Sequence, residues 1–185
     1  MILIIDCGSS KTPNFVKKLS VEKEKIKTIK IFDDFPALDF SHIIISGAPI
    51  LLNEVDKKVY LDYFNFLLKE DFKKINVLGV CFGHQVLGLL HGAKISFSEE
   101  RRKAEAIQIK NQHFLFEGIT TNHFMIADHI EQINLPENFN LIASSEFIKN
   151  EGMSHQSLPH FGVQFHPEVS GKVGEILLNN FINKI

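Results

Sequence analysis

The sequence predicts an α/β fold of three layers: a mostly parallel central sheet, helices on both faces, and an antiparallel edge. Three features point there. Residues 2–5 and 43–45 are continuous aliphatic runs and 75–80 is apolar apart from Asn76, as expected of strands buried on both faces. Stretches with helical spacing alternate with these runs in the first half of the chain, which argues for parallel strands joined by crossover helices. From residue 94 onward, strand-like segments follow one another with little helix between them, so several should pair antiparallel or lie at the sheet edge.

The first run ends in a loop, Asp6-Cys7-Gly8-Ser9-Ser10. Thr12-Pro13 then reads as an N-cap followed by proline at the first helical position, with Phe15, Val16 and Leu19 on one apolar face. Residues 26–32 form a second strand, closed by a turn with Asp33-Asp34 and Pro36. The third strand, 43–45, leads into Ser46-Gly47-Ala48-Pro49, and loops at the carboxyl ends of parallel strands are where such folds place chemistry. Asn53 can cap the next helix, whose apolar positions Val59, Tyr60, Tyr63, Phe64, Leu67 and Leu68 keep helical spacing. Residues 75–80 are the fourth strand and 83–91 a helix. Segments 94–97, 104–110, 124–127, 139–144 and 161–165 read as further strands. Val173, Ile176, Leu177 and Phe181 give 171–185 the stripe of a closing helix.

At 185 residues the chain suits one domain, 1–185, with no repeat, linker or low-complexity tract. A chain of this size buries roughly 70% of its unfolded surface, so it needs no disulfide staple. Twenty basic and 22 acidic residues give a net charge of −2, which offers no electrostatic reason to expect nucleic acid or membrane as partner. The short basic clusters Lys17-Lys18 and Arg101-Arg102-Lys103 read as solvated surface. Two isolated cysteines make neither a disulfide framework nor a C-x-x-C pair. With no secretory signal or membrane-length apolar run, a cytoplasmic location is expected.

The chain is organised around Gly79-Val80-Cys81-Phe82-Gly83-His84-Gln85. A nucleophile on a sharp strand-to-helix turn needs small neighbours on both sides, because the backbone is strained and the flanking elements pack closely. The new helix aims its free N–H groups at the sulfur, and its dipole favours negative charge there. Near the other end stands Gly162-Val163-Gln164-Phe165-His166-Pro167-Glu168. A cysteine nucleophile needs a base, and the base needs an orienting group. On an extended segment residues i and i+2 project to one side, so His166 and Glu168 can meet Cys81 together.

These two motifs closely resemble the nucleophile motif and the histidine–glutamate motif of class I glutamine amidotransferases. Ser46-Gly47-Ala48-Pro49 is similar to that family's oxyanion loop, usually S-G-G-P. The order and spacing agree over essentially the whole chain. The resemblance implies a flavodoxin-like fold and hydrolysis of glutamine to glutamate and ammonia through a glutamyl thioester. Cys81 would be the nucleophile, His166 the acid and base, and Glu168 the group that orients the imidazole. Oxyanion donors would be the N–H of Phe82 and one from Gly47-Ala48. Ala48 departs from the second family glycine. It keeps the N–H but resists positive φ, so either the loop is fixed differently or it becomes competent with a partner.

The resemblance places Gln85 in the glutamine pocket. Asp128-His129-Ile130-Glu131 is similar to the segment that usually reads S-H-x-D, whose backbone helps hold the substrate's amino-acid end. Asn122-His123 competes for that alignment. His84 reads as a packing residue. His42, His91, His113, His155 and His160 are scattered without ligand spacing, so no metal site is expected, and no cofactor is implied. Phe114-Leu115-Phe116 is a candidate partner surface. Such amidotransferases work with a separate, ammonia-using synthetase, and no G-x-x-x-x-G-K-[ST] loop is present here. In size and closing motif the chain is most similar to stand-alone amidotransferase subunits of GMP synthetases, although residues 101–107 lack an E-Y-G signature. Anthranilate- and aminodeoxychorismate-synthase subunits are the alternative. A free-standing γ-glutamyl hydrolase and a non-catalytic binding subunit stay open as other classes.

Overall fold

A computed structural model describes residues 1–37, 39–121 and 123–183. Asn122, the competing alignment partner of His123, lies outside the described residues, as do the last two positions of the expected closing helix.

Strands β1 (Ile2–Asp6), β2 (Ile26–Lys30), β3 (His42–Ile45) and β4 (Asn76–Val80) alternate with helices α1 (Pro13–Lys18) and α2 (Lys57–Phe64); α3 (Phe82–Leu90) follows β4. The rest of the chain is β5 (Ile95–Arg101), β6 (Ala104–Ile109), β7 (His123–Ile126), β8 (His129–Ile133), β9 (Phe139–Ser144), β10 (Gly152–His155), β11 (His160–Val163) and α4 (Gly171–Asn183). The main sheet runs β2-β1-β3-β4-β11-β10-β9-β6-β7. Its first five strands are mutually parallel. The remaining pairings are antiparallel. β5 and β8 form a separate antiparallel ribbon.

Alternation along β1 shows how the layers are held. Ile2 and Ile4 face a core that includes Phe15 of α1 and Leu177, Leu178 and Phe181 of α4. Leu3 and Ile5 face the opposite core, with Phe64 of α2 and Val86 and Leu87 of α3. Each fully buried aliphatic side chain of this kind contributes about 1.5–3 kcal/mol relative to exposure. Two pairs of helices on opposite faces thus fix the line along which β1, β3, β4 and β11 end, and the site lies there.

Several local expectations are corrected. Thr12 does stand at the N-cap with Pro13 first in α1, but its backbone is in the αR region and its hydroxyl donates to Asp6 Oδ1 at 2.8 Å instead of capping the helix. Asp56, not Asn53, caps α2 by accepting from Lys58 N. That helix ends at Phe64 and continues through Leu67 and Leu68 as a 3-10 turn. Phe114, Leu115 and Phe116 turn inward onto the core beneath α4, so they form no open partner surface. Arg101 is not solvated surface: it is buried, bonded to Glu105 and stacked 3.5 Å over the Phe147 ring. No helix among the described residues is long and apolar enough to cross a membrane.

Candidate active site

Cys81 sits where β4 turns into α3. Its N–H donates to Val163 O at 2.9 Å, so the parallel neighbour β11 carries the sheet up to the nucleophile position. Cys81 has φ 52° and ψ −105°, a left-handed-side conformation that costs a non-glycine residue on the order of 1–3 kcal/mol. The turn is tight enough that a Cβ at Gly79 would meet Gly83 O at 2.4 Å, and one at Gly83 would meet Ile45 O at 2.3 Å. Both flanking glycines are therefore demanded by close backbone approach. Phe82 begins α3, where a helix leaves its N–H groups without intrahelical partners.

His166 and Glu168 reach the site by a route the sequence does not announce. β11 ends at Val163, and residues 167–169 form a 3-10 turn with His166 as its first flanking residue. The two side chains meet across this turn, not along a strand, with Nδ1 2.7 Å from Glu168 Oε1. His166 N donates to Ile126 O at 2.8 Å. Ser170 Oγ donates to His166 O at 2.6 Å and accepts from Ile126 N at 2.9 Å. The ring is thus anchored on both sides of its own backbone. Burial pushes the His166 pKa down, but Cys81 and Glu168 flanking the ring outweigh it and carry the pKa up to about 10. The imidazole is cationic at neutral pH.

A cavity of about 410 Å³ opens over Cys81, within the range of small-molecule sites. Ala48, Phe82, Gln85, Asp128, His129 and His166 all line it. Gly47 lies buried beneath it: a Cβ there would sit 2.9 Å from His166 Cε1 and 3.7 Å from Cys81 Cβ. Ala48 is not among the residues with positive φ, so the loop does not ask of it what only glycine gives. The Gln85 amide nitrogen donates to Glu131 O at 3.0 Å and to Gln164 Oε1 at 3.2 Å.

Asp128 places its carbonyl 3.8 Å from Cys81 Sγ and pairs its carboxylate with Lys11 and Arg102. Burial would raise the Asp128 pKa, but the bond and charge of Lys11 hold it below the usual carboxylate range. His129 is buried, which pushes its pKa down to about 4, with the His166 charge adding to the fall; it is neutral at pH 7. His84 packs fully buried under the elbow, and burial takes its pKa down to about 3.

Sequence reasoning missed Lys11, Glu131 and the convergence of three histidines. Lys11 carries no motif. Glu131 ends the quoted Asp128 segment, and that was the available signal. His91, His155 and His160 come together from separate stretches of the chain, with His91 Nε2 3.3 Å from His160 Nδ1. Among the described residues no group of three or more His, Cys, Asp or Glu side chains is arranged to hold a metal ion.

A strand-to-helix cysteine, a buried histidine–glutamate pair and an open cavity thus stand in one place. The chain belongs to the glutamine amidotransferase class-I family, whose model matches residues 3–185. Among curated relatives, a glutamine-hydrolysing GMP synthase polypeptide of Pyrococcus abyssi is 32% identical, covering 98% of this chain and 96% of the relative. The protein of the same name from Pyrococcus furiosus is 30% identical over the same shares of the two chains. A crystal structure of a Thermoplasma acidophilum protein superposes with a TM-score of 0.83 at 24% identity, covering 98% of this chain and 91% of the other. A Thermotoga maritima glutamine amidotransferase gives 0.79 at 16% identity, covering 99% and 96%. At such identities these two structures bear on the fold, which is the flavodoxin-like α/β arrangement expected.

Proposed function

We propose that this chain is the glutamine-hydrolysing half of a two-subunit GMP synthase, folded as one amidotransferase domain and working in the cytoplasm beside a separate ammonia-using synthetase. The observation that carries the chemistry is the buried His166, hydrogen-bonded to Glu168 on one side and facing Cys81 on the other. The near full-length relatives named as glutamine-hydrolysing GMP synthase subunits favour this ammonia acceptor over those of aromatic metabolism.

In this reading the Cys81 thiolate attacks the side-chain amide carbon of L-glutamine. The negative charge moves to the amide oxygen, where the N–H of Phe82 and an N–H of the Gly47-Ala48 loop receive it. His166 gives its proton to the amide nitrogen, the C–N bond breaks, and ammonia leaves behind a glutamyl thioester. Water then adds to the thioester carbon while His166 takes one of its protons, and glutamate departs with Cys81 restored. Glu168 holds the ring in one orientation and stabilises its cationic form throughout. Asp128 and His129 border the end of the cavity where the substrate's amino-acid group would lie, and Gln85 braces that wall.

The test uses glutamine labelled with ¹⁵N at the amide. With the partner synthetase and its other substrates present, label should appear in GMP, and Cys81→Ala should abolish the transfer while leaving GMP formation from added ammonium intact. Vigorous turnover of γ-glutamyl peptides without a partner, with little turnover of glutamine, would establish the free-standing hydrolase instead.

A further inference from the structure

We infer that Glu131 is a positioning residue that fastens the oxyanion loop and so sets the aim of its N–H donor; this rests on the glutaminase reading above. Glu131 is a charged side chain only 1% exposed, on β8. Both of its carboxylate oxygens are engaged. Oε2 accepts from Leu52 N and Oε1 from Asn53 N, each at 2.8 Å. A buried carboxylate holding two adjacent backbone N–H groups makes charge-assisted bonds, stronger than those between neutral groups.

These amides close the loop that begins at Ser46. At its entry Ser46 N donates to Ile5 O at 3.1 Å, and Ser46 Oγ accepts from Cys7 N at 2.9 Å. At its exit Glu131 takes up the amides of Leu52 and Asn53, while the Leu52 side chain is locked in the core. The segment strung between these fixed ends is Gly47-Ala48-Pro49-Ile50-Leu51. The same residue ties that loop to the elbow, because its carbonyl accepts from Gln85 Nε2. β8 also carries His129 on the same buried face two residues earlier. One residue thus joins the oxyanion loop, the nucleophile helix and the strand at the substrate end of the cavity. This explains how a loop with alanine at position 48 is held without a second glycine to shape it.

The experiment compares wild type with Glu131→Gln and with Glu131→Asp, which keeps the charge on a shorter stem. Hydrogen exchange should speed up at residues 47–53 in Glu131→Gln and stay unchanged at 79–88. In the same variant kcat should fall about 100-fold, the cost of roughly 1 Å of misplacement, with KM within about threefold. Affinity for the glutamine-derived aldehyde, which forms a tetrahedral adduct on Cys81 and needs the oxyanion donors, should weaken in step with kcat. Alkylation of Cys81 by iodoacetamide, which develops no oxyanion, should keep its wild-type rate. Glu131→Asp should recover part of both kcat and aldehyde affinity. Unchanged exchange at 47–53 overturns the inference, and so does a loss of alkylation equal to the loss of kcat, which marks a general structural defect. If wild type itself neither binds the aldehyde nor hydrolyses glutamine, the glutaminase reading fails, whereas the exchange measurement still decides whether Glu131 fastens the loop.

Discussion

Gly47 and His166 share one space: a Cβ at position 47 would lie 2.9 Å from the imidazole Cε1, inside any real contact distance. The ring cannot easily retreat, since Glu168 holds Nδ1 and Ile126 holds its backbone. Gly47 does not have positive φ, so the requirement is room and not backbone freedom. Gly47→Ala is therefore expected to displace the ring and lower kcat about 100-fold while the protein stays folded. Steady-state kinetics beside thermal unfolding checks this, and a variant with full kcat would show that the ring has slack.

Ala48 presents the opposite case. Its backbone already lies outside the left-handed region, so Ala48→Gly adds no conformation that the loop uses. The change should leave kcat within about twofold and cost up to ~1 kcal/mol of stability, through the extra freedom of the unfolded chain. A large gain in kcat would mean that alanine impairs the loop, the outcome the non-catalytic reading requires.

The charge on His166 sets a pH signature. Its pKa rises from 6.5 to about 10, so the imidazolium is present across neutral pH and is lost only as pH climbs through about 10. The stabilisation it brings is fully present below pH 6.5 and disappears as pH rises from there through about 10. The basic limb of kcat/KM should fall near pH 10. Glu168→Gln removes one of the two groups that raise the pKa, so that limb should move down by ~1 unit or more. A limb that does not move would place its origin in another group.

The elbow and the histidine–glutamate pair were legible because each is a short local pattern whose spacing is enforced by contacts within it. β1, β3 and β4 were legible because burial on both faces favours aliphatic residues along them, whereas β2, Ile26–Lys30 at the sheet edge, is mostly exposed and carries lysines and a threonine. β8 hides for a physical reason: along His129–Ile133 the buried positions are His129, Glu131 and Ile133, so the inward face is partly polar and the usual alternation is inverted. β10, Gly-Met-Ser-His, has little strand propensity of its own and is formed by pairing between β9 and β11. Asn53 lies in the loop whose backbone Glu131 holds, and α2 begins only at Lys57, so the cap falls to Asp56. Long-range partners of this kind leave no trace in local spacing.

Glu151 makes the last prediction, away from the cavity. Its side chain is fully buried, with Glu105 nearby and Arg101 bonded to Glu105. Burial pushes its pKa up from 4.5 to about 7; Ser145 pulls it back and the Glu105 charge adds to the rise. A carboxyl that holds its proton more tightly when folded stabilises the fold fully below pH 4.5, and that contribution is lost as pH rises through about 7. At ~1.4 kcal/mol per unit, the swing is on the order of 3 kcal/mol. Wild type should therefore lose melting temperature between about pH 5 and pH 8. Glu151→Gln, of the same shape but without a proton to lose, should give a flatter profile and be the more stable of the two at about pH 8. Parallel profiles for the two proteins would show that Glu151 is ionised in the folded protein over the whole range, so that burial does not hold its proton.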